Sequence, residues 1–437
     1  MKLSIYTYLF EKSGQYYLYN SQTGFLSTIE KKLYEQLFDH NFEALGDEII
    51  NVLKTKEIIV EDGHLYDYYY KKRQNYFTSI GNQELLGLVI APTTGCNFEC
   101  PYCFEGEKTN KCMSPEVVDD LIEFINSYKQ TRNLKITWYG GEPLMAFSII
   151  KTIVKKIRER CAIENLTQSI VTNGYLINDD VIDFMKSNQF ESIQISFDGT
   201  DVRHNNTRYL KGSHQPSYDR ILFNVDRLYN EMHKEFKINL RINVNKENED
   251  DFFVMRQLLK ERFPDKRVTV YPGFIREEGK GNRSMCYNSL FGKSRYDFYK
   301  KVAKQGMAID FYPHEKEKGC MVCINNSFVI GPNGEIYKCW SDFNNSDRVV
   351  GSIRERKITN ATLISRYTFE STIYSDKRCK DCKLFPICDG GCSWFRYKNT
   401  FDDKNYDLCT FLSDDVLLEE CLLTTQPKSK DALLKAL

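Results

Sequence analysis

Apolar strand-like runs alternate with amphipathic helical stretches through the middle of the chain. The helical stretches, such as Pro115–Tyr128 and Ile149–Arg160, carry apolar residues at helical period. Repeated βα units of this kind predict a parallel sheet, either open or closed as a partial barrel. Ligands of such sheets lie beyond the carboxyl ends of the strands, so residues that follow each strand are the first candidates for a site. The predicted strands are Leu86–Ala91, Leu134–Tyr139, Gln168–Thr172, Ser192–Ser196, Phe236–Val244 and Val268–Tyr271.

Residues 1–80 show a different pattern. Strand-like runs at Ser4–Phe10 and Gln15–Asn20 precede helical spacing over Glu30–Phe38 and Phe42–Leu53, and Glu57–Val60 starts a short hairpin. This order is typical of a small winged-helix domain.

The end of the chain is rich in cysteine and has few periodic runs before a final helix near Ser413–Leu423. In this part of the chain, metal ligation would supply the stability that burial of a hydrophobic core supplies elsewhere. We therefore predict three domains, over residues 1–80, 81–310 and 311–437.

Charge and hydropathy restrict the partners. The 437 residues include 60 Lys and Arg and 60 Asp and Glu, so the chain lacks the positive field that non-specific binding of nucleic acid or anionic membranes needs. We find no apolar run long enough to span a bilayer and no cleavable signal segment. We expect a cytoplasmic protein with neither nucleic acid nor membrane as a partner.

The 15 cysteines are more informative than the charge. An odd number in a long chain without an export signal argues against a disulfide framework. With only six His in the chain, the available metal ligands are thiolates, which favour iron–sulfur clusters or zinc. Four cysteines lie outside the two groups described below and are most simply interpreted as buried small hydrophobic residues, namely Cys112, Cys161, Cys286 and Cys421.

The first group of cysteines is a C-x3-C-x2-C loop directly after the first predicted strand, formed by Cys96, Cys100 and Cys103. Three thiolates leave one iron of a four-iron cluster open for an external ligand, as a catalytic site needs. The alternative is a set of buried thiols at a junction between strand and loop.

With this loop, residues 85 to 410 resemble radical S-adenosylmethionine (SAM) enzymes. The resemblance implies that the three loop cysteines bind a [4Fe–4S] cluster whose open iron is chelated by SAM, and that Tyr102 contacts this cofactor. Gly140-Gly141-Glu142-Pro143 follows the second predicted strand and is similar to the family's GGEP segment, whose backbone holds the SAM amino group. A plain strand-to-helix turn that starts at Pro143 is the alternative.

Further SAM contacts are implied by weaker matches. Ser196-Phe197-Asp198-Gly199 resembles the family's S-x-D-G segment, which puts Ser196 near the methionine carboxylate or the ribose. Arg208 is a candidate clamp for the carboxylate, since a guanidinium fits a carboxylate bidentately. Asn173 and Arg241 match positions that line the pocket in relatives, although either could have a purely structural role.

The second group of cysteines resembles the seven-cysteine SPASM extension of radical SAM peptide maturases, with Cys320 as an eighth member. The resemblance implies two auxiliary [4Fe–4S] clusters and therefore three clusters in all. If only one of Cys320 and Cys323 is a ligand, an iron would be open to the substrate. A zinc ribbon is disfavoured because the intervals do not pair two CxxC knuckles. The implied ligands are Cys379, Cys382, Cys388 and Cys409 for the outer cluster and Cys320, Cys323, Cys339 and Cys392 for the inner cluster.

The implied fold is α/β, a partial (β/α)6 TIM-type barrel between an N-terminal winged-helix domain and a C-terminal cysteine-rich iron–sulfur domain. The implied function is that of a radical SAM maturase, which generates a 5′-deoxyadenosyl radical to abstract a substrate hydrogen. The substrate would be a ribosomally synthesised precursor peptide, and the product a thioether or other intrapeptide crosslink. The winged-helix domain would recognise the leader part of that peptide by β-augmentation, and a flavodoxin or ferredoxin would donate single electrons.

Several functions besides crosslinking remain open. In sulfatase-maturing relatives, an acidic residue that serves as a base directly follows the cysteine equivalent to Cys339; here Trp340 stands there, which argues against formylglycine synthesis. Asp342 is the nearest acid and a candidate catalytic base, or else an exposed loop carboxylate. The sequence also leaves open the epimerisation of a residue, the modification of a quinone precursor, and a non-catalytic role in iron–sulfur binding or electron transfer.

Overall fold

The computed structural model describes residues 1–103, 105, 109–275, 293–307, 313–316 and 319–424, so Cys286 lies outside the described residues. The chain forms two compact units. The first unit comprises Met1–Ile80, Phe291–Cys323 and Phe369–Leu437, and the second comprises Gly81–Leu290 and Ile324–Thr368. The predicted tail 311–437 thus contributes to both units.

The first 80 residues form two small antiparallel sheets and three helices. β2, β3 and β4 form one sheet, and β1 pairs with β5 in the other. Phe25–Ile29, an unpredicted strand, lacks an alternating apolar pattern. The predicted helix Phe42–Leu53 is divided because Gly46 has an extended conformation at the start of its second part. The elements are β1 Lys2–Leu3, β2 Thr7–Lys12, β3 Gln15–Asn20, β4 Phe25–Ile29, α1 Lys31–Phe38, α2 Asp47–Thr55, β5 Ile59–Val60 and α3 Asp67–Ser79.

The second unit contains six neighbouring parallel strands, which confirms the predicted α/β class and all six predicted strands. The strands are β6 Leu85–Ile90, β7 Asn133–Trp138, β8 Asn165–Thr172, β9 Phe190–Phe197, β10 Lys237–Val244 and β11 Val268–Phe274. The helices along this segment are α4 Pro115–Ser127, α5 Phe147–Arg160, α6 Asp179–Ser187, α7 Asp201–Thr207, α8 Tyr218–Glu231 and α9 Glu249–Arg262.

Local sequence explains these elements well. The Ser114 side chain accepts a hydrogen bond from the Val117 N–H and caps α4, and Pro115 occupies its first turn, where a missing N–H costs nothing. One face of α4 is fully apolar and buried, and the strands alternate between buried and half-buried positions, as in β8. Burial of such faces is the main force that holds the layers together.

The later part of the chain extends the same sheet. β12 pairs in parallel with β6, and β13, β14 and β15 follow in antiparallel order, which gives a ten-stranded sheet. None of the helices in the described part of the chain is long and apolar enough to cross a membrane. The remaining elements are α10 Lys293–Lys304, β12 Ser327–Ile330, β13 Glu335–Tyr337, β14 Gly351–Ser352, β15 Lys357–Ile358, α11 Ala361–Ser365, α12 Lys377–Lys380, α13 Ser393–Phe401 and α14 Asp415–Thr424.

Candidate functional site

The three-cysteine loop begins just beyond the carboxyl end of β6. Cys96 is buried, and Cys100 and Cys103 are half-buried. The Phe98 N–H donates to Cys96 Sγ at 3.4 Å, and the Cys103 N–H donates to the Cys100 carbonyl at 3.2 Å. A backbone N–H directed at a thiolate sulfur stabilises the charge of an iron–sulfur site. Three thiols and a backbone N–H directed at one of them are therefore donor types that fit a cluster with three protein ligands.

The glycines after β7 bring two loops into backbone contact. A Cβ atom on Gly140 would lie 2.4 Å from the Thr93 carbonyl oxygen, and one on Gly141 would lie 2.2 Å from the Gly95 carbonyl oxygen. Gly140 also has a φ of +113°, which disfavours any other residue. The Glu142 N–H donates to the Gly95 carbonyl at 2.8 Å. The glycines are therefore needed to seat the GGEP loop against the start of the cysteine loop.

Glu142 is fully buried and joins the end of β7 to the end of β8. Its carboxylate accepts hydrogen bonds from Thr172 Oγ1 at 2.7 Å, the Asn173 N–H at 2.7 Å and the Leu144 N–H at 3.0 Å. Burial raises the pKa of Glu142, and these three donors oppose the rise. This carboxylate is thus already engaged in fixing the two strand ends.

Tyr102 and Asp198 form the centre of a buried polar network. The Tyr102 hydroxyl lies 2.7 and 2.6 Å from the two carboxylate oxygens of Asp198, to which it donates. Asp198 also accepts from Thr207 Oγ1 at 2.7 Å and from Asn243 Nδ2 at 3.0 Å. Burial raises the pKa of Tyr102 well above its ordinary value, and the Asp198 charge adds to this. The network connects the cysteine loop to β9, α7 and β10.

Arg208 is the cation of this network. Its Nη1 donates to the Tyr102 hydroxyl at 3.1 Å and lies 3.9 Å from Asp198 Oδ1, and its guanidinium carbon lies 5.6 Å from the centre of the Phe98 ring. Burial would lower the pKa of Arg208, but Tyr102, Cys100 and Asp198 raise it well above its ordinary value. Its buried Nε has no hydrogen-bond partner among the described residues. An unpartnered buried guanidinium N–H fits an anionic group of a ligand, such as the SAM carboxylate.

The remaining predicted SAM contacts lie around the same strand ends. Asn173 Nδ2 donates to Asn97 Oδ1 at 2.7 Å, which ties the end of β8 to the cysteine loop. Arg241 Nε donates to Asn243 Oδ1 at 2.9 Å, and the Arg241 side chain packs over Gly273. Ser196 is half-buried near the end of β9. The structure therefore brings the predicted SAM contacts to the carboxyl halves of the parallel strands and the loops that follow them.

Sequence reasoning did not identify several members of this network. Asn97, Thr207 and Asn248 were not predicted, yet Asn248 Nδ2 donates to the carbonyl oxygens of Asp198 and Asn243 at 2.7 and 2.8 Å. For Asn97 and Asn248 the available signal was a polar residue in the loop after a buried strand, but Asn is also common in ordinary turns. Thr207 is the last residue of α7 and carried no such signal.

Asp342 is buried, so its interpretation as an exposed loop carboxylate is wrong. The residue is 1% exposed and accepts a hydrogen bond from the Tyr367 hydroxyl at 2.8 Å. Burial raises the pKa of Tyr367, and the charges of Asp342 and Cys339 add to the rise. The turn that carries Asp342 packs against the residue before the GGEP loop, since the rings of Trp340 and Tyr139 are 5.3 Å apart.

Seven of the predicted tail cysteines lie in the first unit, where they fall into two neighbourhoods. Burial raises the pKa of Cys379 to about 12, and Cys388 and Cys382 contribute to the rise. The pKa of Cys409 is raised by burial first, then by Asp407 and then by Cys382. Burial, Cys323 and Cys392 raise the pKa of Cys320 to about 11, although Cys320 is exposed as a whole residue. Cys339, the eighth, is buried in the second unit.

The sulfur surroundings in the first unit resemble those of the cysteine loop. The Gly390 N–H donates to Cys388 Sγ at 3.3 Å, and Cys323 Sγ lies 3.4 Å from Ser393 Oγ. Within the described ranges, no three His, Cys, Asp or Glu side chains are arranged as a ready-made metal site.

Of the scattered cysteines, Cys421 is buried as expected, Cys161 is half-buried, and Cys112 is exposed, so the expectation is wrong for Cys112.

Comparison with known proteins adds independent information. Residues 90–259 match the model of the radical SAM superfamily. The chain is 25% identical over 342 residues to the cysteine-type anaerobic sulfatase-maturating enzyme of Clostridium novyi, an alignment that covers 70% of this chain and 87% of that protein.

Two solved structures share the fold over most of the chain. Native anSMEcpe with bound AdoMet and Kp18Cys peptide matches with a TM-score of 0.59 and 20% identity, covering 81% of this chain and 100% of that one. Streptococcus suis SuiB bound to the precursor peptide SuiA matches with a TM-score of 0.51 and 14% identity, covering 94% of this chain and 99% of that one.

Proposed function

The chain is an enzyme with a radical SAM domain, and from this premise we propose that it matures a ribosomally synthesised precursor peptide by forming a thioether or other intrapeptide crosslink. The observation that carries the proposal is the buried network of Tyr102, Asp198 and Arg208 beside the three-cysteine loop. It combines a cluster-type donor set with a guanidinium N–H that has no partner among the described residues, as the zwitterionic cofactor requires.

The residues of the second unit would hold the first cluster and SAM. Cys96, Cys100 and Cys103 supply the thiolates, and Arg208 binds the SAM carboxylate through its buried Nε. Bound together, the cluster and SAM supply an organic radical that removes a hydrogen atom from an unactivated carbon. The protein orients the reacting carbon and excludes water, and the rigid network around Asp198 supports that orientation.

The cysteines of the first unit would hold the auxiliary iron–sulfur sites. Cys379, Cys382, Cys388 and Cys409 form one neighbourhood, and Cys320, Cys323 and Cys392 form the other. We propose that each neighbourhood supplies thiolates to one [4Fe–4S] cluster. Crosslinking with a net loss of two hydrogens removes one hydrogen atom by abstraction and then one proton and one further electron. The auxiliary clusters would provide a route for that electron.

The leader part of the precursor would bind at the N-terminal segment. β4 is an edge strand of its three-stranded sheet, paired only with β3 among the described strands, and its residues are mostly half-buried. An exposed edge can accept an extended peptide by β-augmentation, with main-chain hydrogen bonds providing affinity. Tethering the leader raises the effective concentration of the core peptide.

Asp342 would act as the base. The Asp342 carboxylate is buried and accepts a hydrogen bond from the Tyr367 hydroxyl, which helps to fix its orientation, as a general base requires. Formation of a thioether requires loss of the thiol proton of a substrate cysteine, and a positioned carboxylate can accept it.

Conversion of a Cys or Ser side chain to formylglycine is the second candidate function. The similarity to the Clostridium novyi enzyme over 70% of this chain favours it. The presence of Trp340 directly after Cys339, with the acid displaced to Asp342, favours the crosslinking reaction instead.

A test begins with anaerobic reconstitution of the full chain, followed by dithionite, SAM and a synthetic precursor peptide. The proposal predicts about twelve irons per chain, formation of 5′-deoxyadenosine and a peptide lighter by two hydrogens per modification. A hydrazide probe distinguishes the second candidate, since formylglycine carries an aldehyde and a crosslinked peptide does not. Absence of 5′-deoxyadenosine in the iron-loaded protein would contradict both candidates.

A further inference from the structure

Two tyrosine hydroxyls of the first unit are buried without a hydrogen-bond partner among the described residues. Tyr6 is 1% exposed and Tyr76 is 5% exposed, and neither hydroxyl makes a hydrogen bond of acceptable geometry with any described residue. A buried hydroxyl without a partner costs about 1–3 kcal/mol, so each of these groups calls for a hydrogen-bond partner that the described residues do not supply.

The Tyr76 side chain lies close to the segment that carries Cys320 and Cys323. Burial raises the pKa of Tyr76, and Cys323, Tyr374 and Cys320 add to the rise. The ring also packs on the residue before Cys320, since a Cβ atom on Gly319 would lie 2.9 Å from Tyr76 Cε2. Gly319 has a φ of +110° and thus lets the chain pass beneath the ring.

The Tyr6 side chain has a similar relation to the other group of cysteines. Tyr6 packs in a cluster with Tyr69, Ile373 and Phe385, against which the side chains of Cys379 and Cys382 also lie. Burial, Tyr69 and Cys382 together raise the pKa of Tyr6. Each of the two tyrosine side chains therefore lies near a different group of predicted cluster ligands.

We infer that Tyr76 donates a hydrogen bond to the sulfur of the cluster held by Cys320, Cys323 and Cys392, and that Tyr6 does the same for the cluster of Cys379, Cys382, Cys388 and Cys409. The inference rests on the proposed function, because it presupposes iron–sulfur clusters in the first unit. Both tyrosines are positioning residues that come from the first 80 residues of the chain. The N-terminal segment would thereby set the reduction potentials of both auxiliary clusters.

The physical basis is electrostatic. Reduction adds negative charge to a cluster, and a hydrogen bond to its sulfur stabilises the reduced form more than the oxidised form. Removal of one donor should therefore shift the midpoint potential of the corresponding cluster to a more negative value. A tenfold change in the reduction equilibrium corresponds to about 59 mV for a one-electron couple.

The test uses the full-length chain with Cys96, Cys100 and Cys103 all changed to Ala, which leaves only the auxiliary clusters. Electron paramagnetic resonance follows an anaerobic redox titration of this protein with and without Tyr76→Phe or Tyr6→Phe. We expect each variant to lower the midpoint potential of one cluster by about 59 mV, which corresponds to a tenfold change in its reduction equilibrium. The two variants should affect different clusters. Tyr70→Phe on the same helix is the control, since Tyr70 is 50% exposed and bonds to Lys380 at the surface.

A second substitution guards against loss of iron from a Phe variant. Incorporation of 3-fluorotyrosine at position 76 keeps the ring and makes the hydroxyl a stronger donor, so the potential should rise instead of falling. Unchanged midpoints in proteins with full iron content would overturn the inference alone. Absence of auxiliary iron from the parent protein would overturn both the inference and the proposed auxiliary clusters.

Discussion

The Tyr102 hydroxyl donates to the Asp198 carboxylate, with oxygen to oxygen distances of 2.6 and 2.7 Å, and so joins the cysteine loop after β6 to the end of β9. The same hydroxyl accepts from Arg208 and Asn243. The Tyr102 hydroxyl therefore holds the Asp198 carboxylate, the Arg208 guanidinium and the Asn243 amide in place at the carboxyl edge of the sheet.

Tyr102→Phe should weaken SAM binding without loss of iron. The substitution leaves Asp198 short of one donor and releases Arg208, and loss of one buried hydrogen bond costs about 1–2 kcal/mol, or about fivefold to thirtyfold in affinity. Isothermal titration of SAM into the reconstituted protein measures the change. Tyr128→Phe is the control, because Tyr128 packs on Phe124 and Phe328, away from this network. An unchanged affinity would show that the network does not position the cofactor.

Gly141→Ala should prevent assembly of the first cluster. A Cβ atom at this position would lie 2.2 Å from one backbone oxygen and 2.6 Å from another in the cysteine loop, and backbone cannot move aside cheaply. We expect a loss of about four irons per chain together with loss of SAM cleavage. Gly46→Ala meets no atom within 4 Å and should retain full iron content. Normal iron content in Gly141→Ala would contradict the tight seating of the two loops.

Asp342→Asn should uncouple SAM cleavage from peptide modification. The buried carboxylate is the proposed base, and loss of a base lowers the rate of its step by about 10²- to 10⁴-fold. We expect 5′-deoxyadenosine to form at near the normal rate while the crosslinked product disappears, as measured by liquid chromatography and mass spectrometry. Asp347→Asn changes an exposed acid nearby and should behave like the unaltered enzyme. Full product formation by Asp342→Asn would eliminate this residue as the base.

Asp376→Asn should destabilise the first unit in a pH-dependent manner. The Asp376 carboxylate accepts from Arg378 at 2.8 Å and from the buried Arg396 at 2.7 Å. Hydrogen bonds from Arg378, followed by Arg396, hold the pKa of Asp376 well below its ordinary value of 3.8. A folded-state pKa below the unfolded value adds stability above pH 3.8 that is lost as the pH falls further.

The variant should therefore unfold about 2–3 kcal/mol more easily at pH 7, and this difference should shrink below about pH 4. Urea titrations at several pH values measure it. Asp402→Asn removes an ion pair with Lys398 at 3.8 Å and should lower the free energy of unfolding by less than about 1 kcal/mol. Equal effects of the two substitutions at pH 7 would contradict a special role of Asp376.

Much of the second unit could be predicted because its signals are local. The six strands follow from short apolar runs, and parallel pairing follows from the helices between them. Since the carboxyl ends of parallel strands share an edge, the prediction that residues which follow the strands, such as Glu142 and Asp198, lie at that edge needed no coordinates. β12 was beyond such reasoning, because its partner β6 lies more than 200 residues earlier and no local pattern records that pairing.

The sequence by itself determined which chemistry is available, since the number and spacing of thiols and the scarcity of His limit the metal sites before any folding is considered. Only the tertiary structure decided how individual polar groups are used. It placed Asp342 in the interior with Tyr367, engaged Glu142 with three donors, and left the hydroxyls of Tyr6 and Tyr76 buried without a hydrogen-bond partner among the described residues. The physical reason is that burial and hydrogen-bond partners depend on contacts between residues far apart in the chain, whereas spacing and residue type are properties of the chain itself.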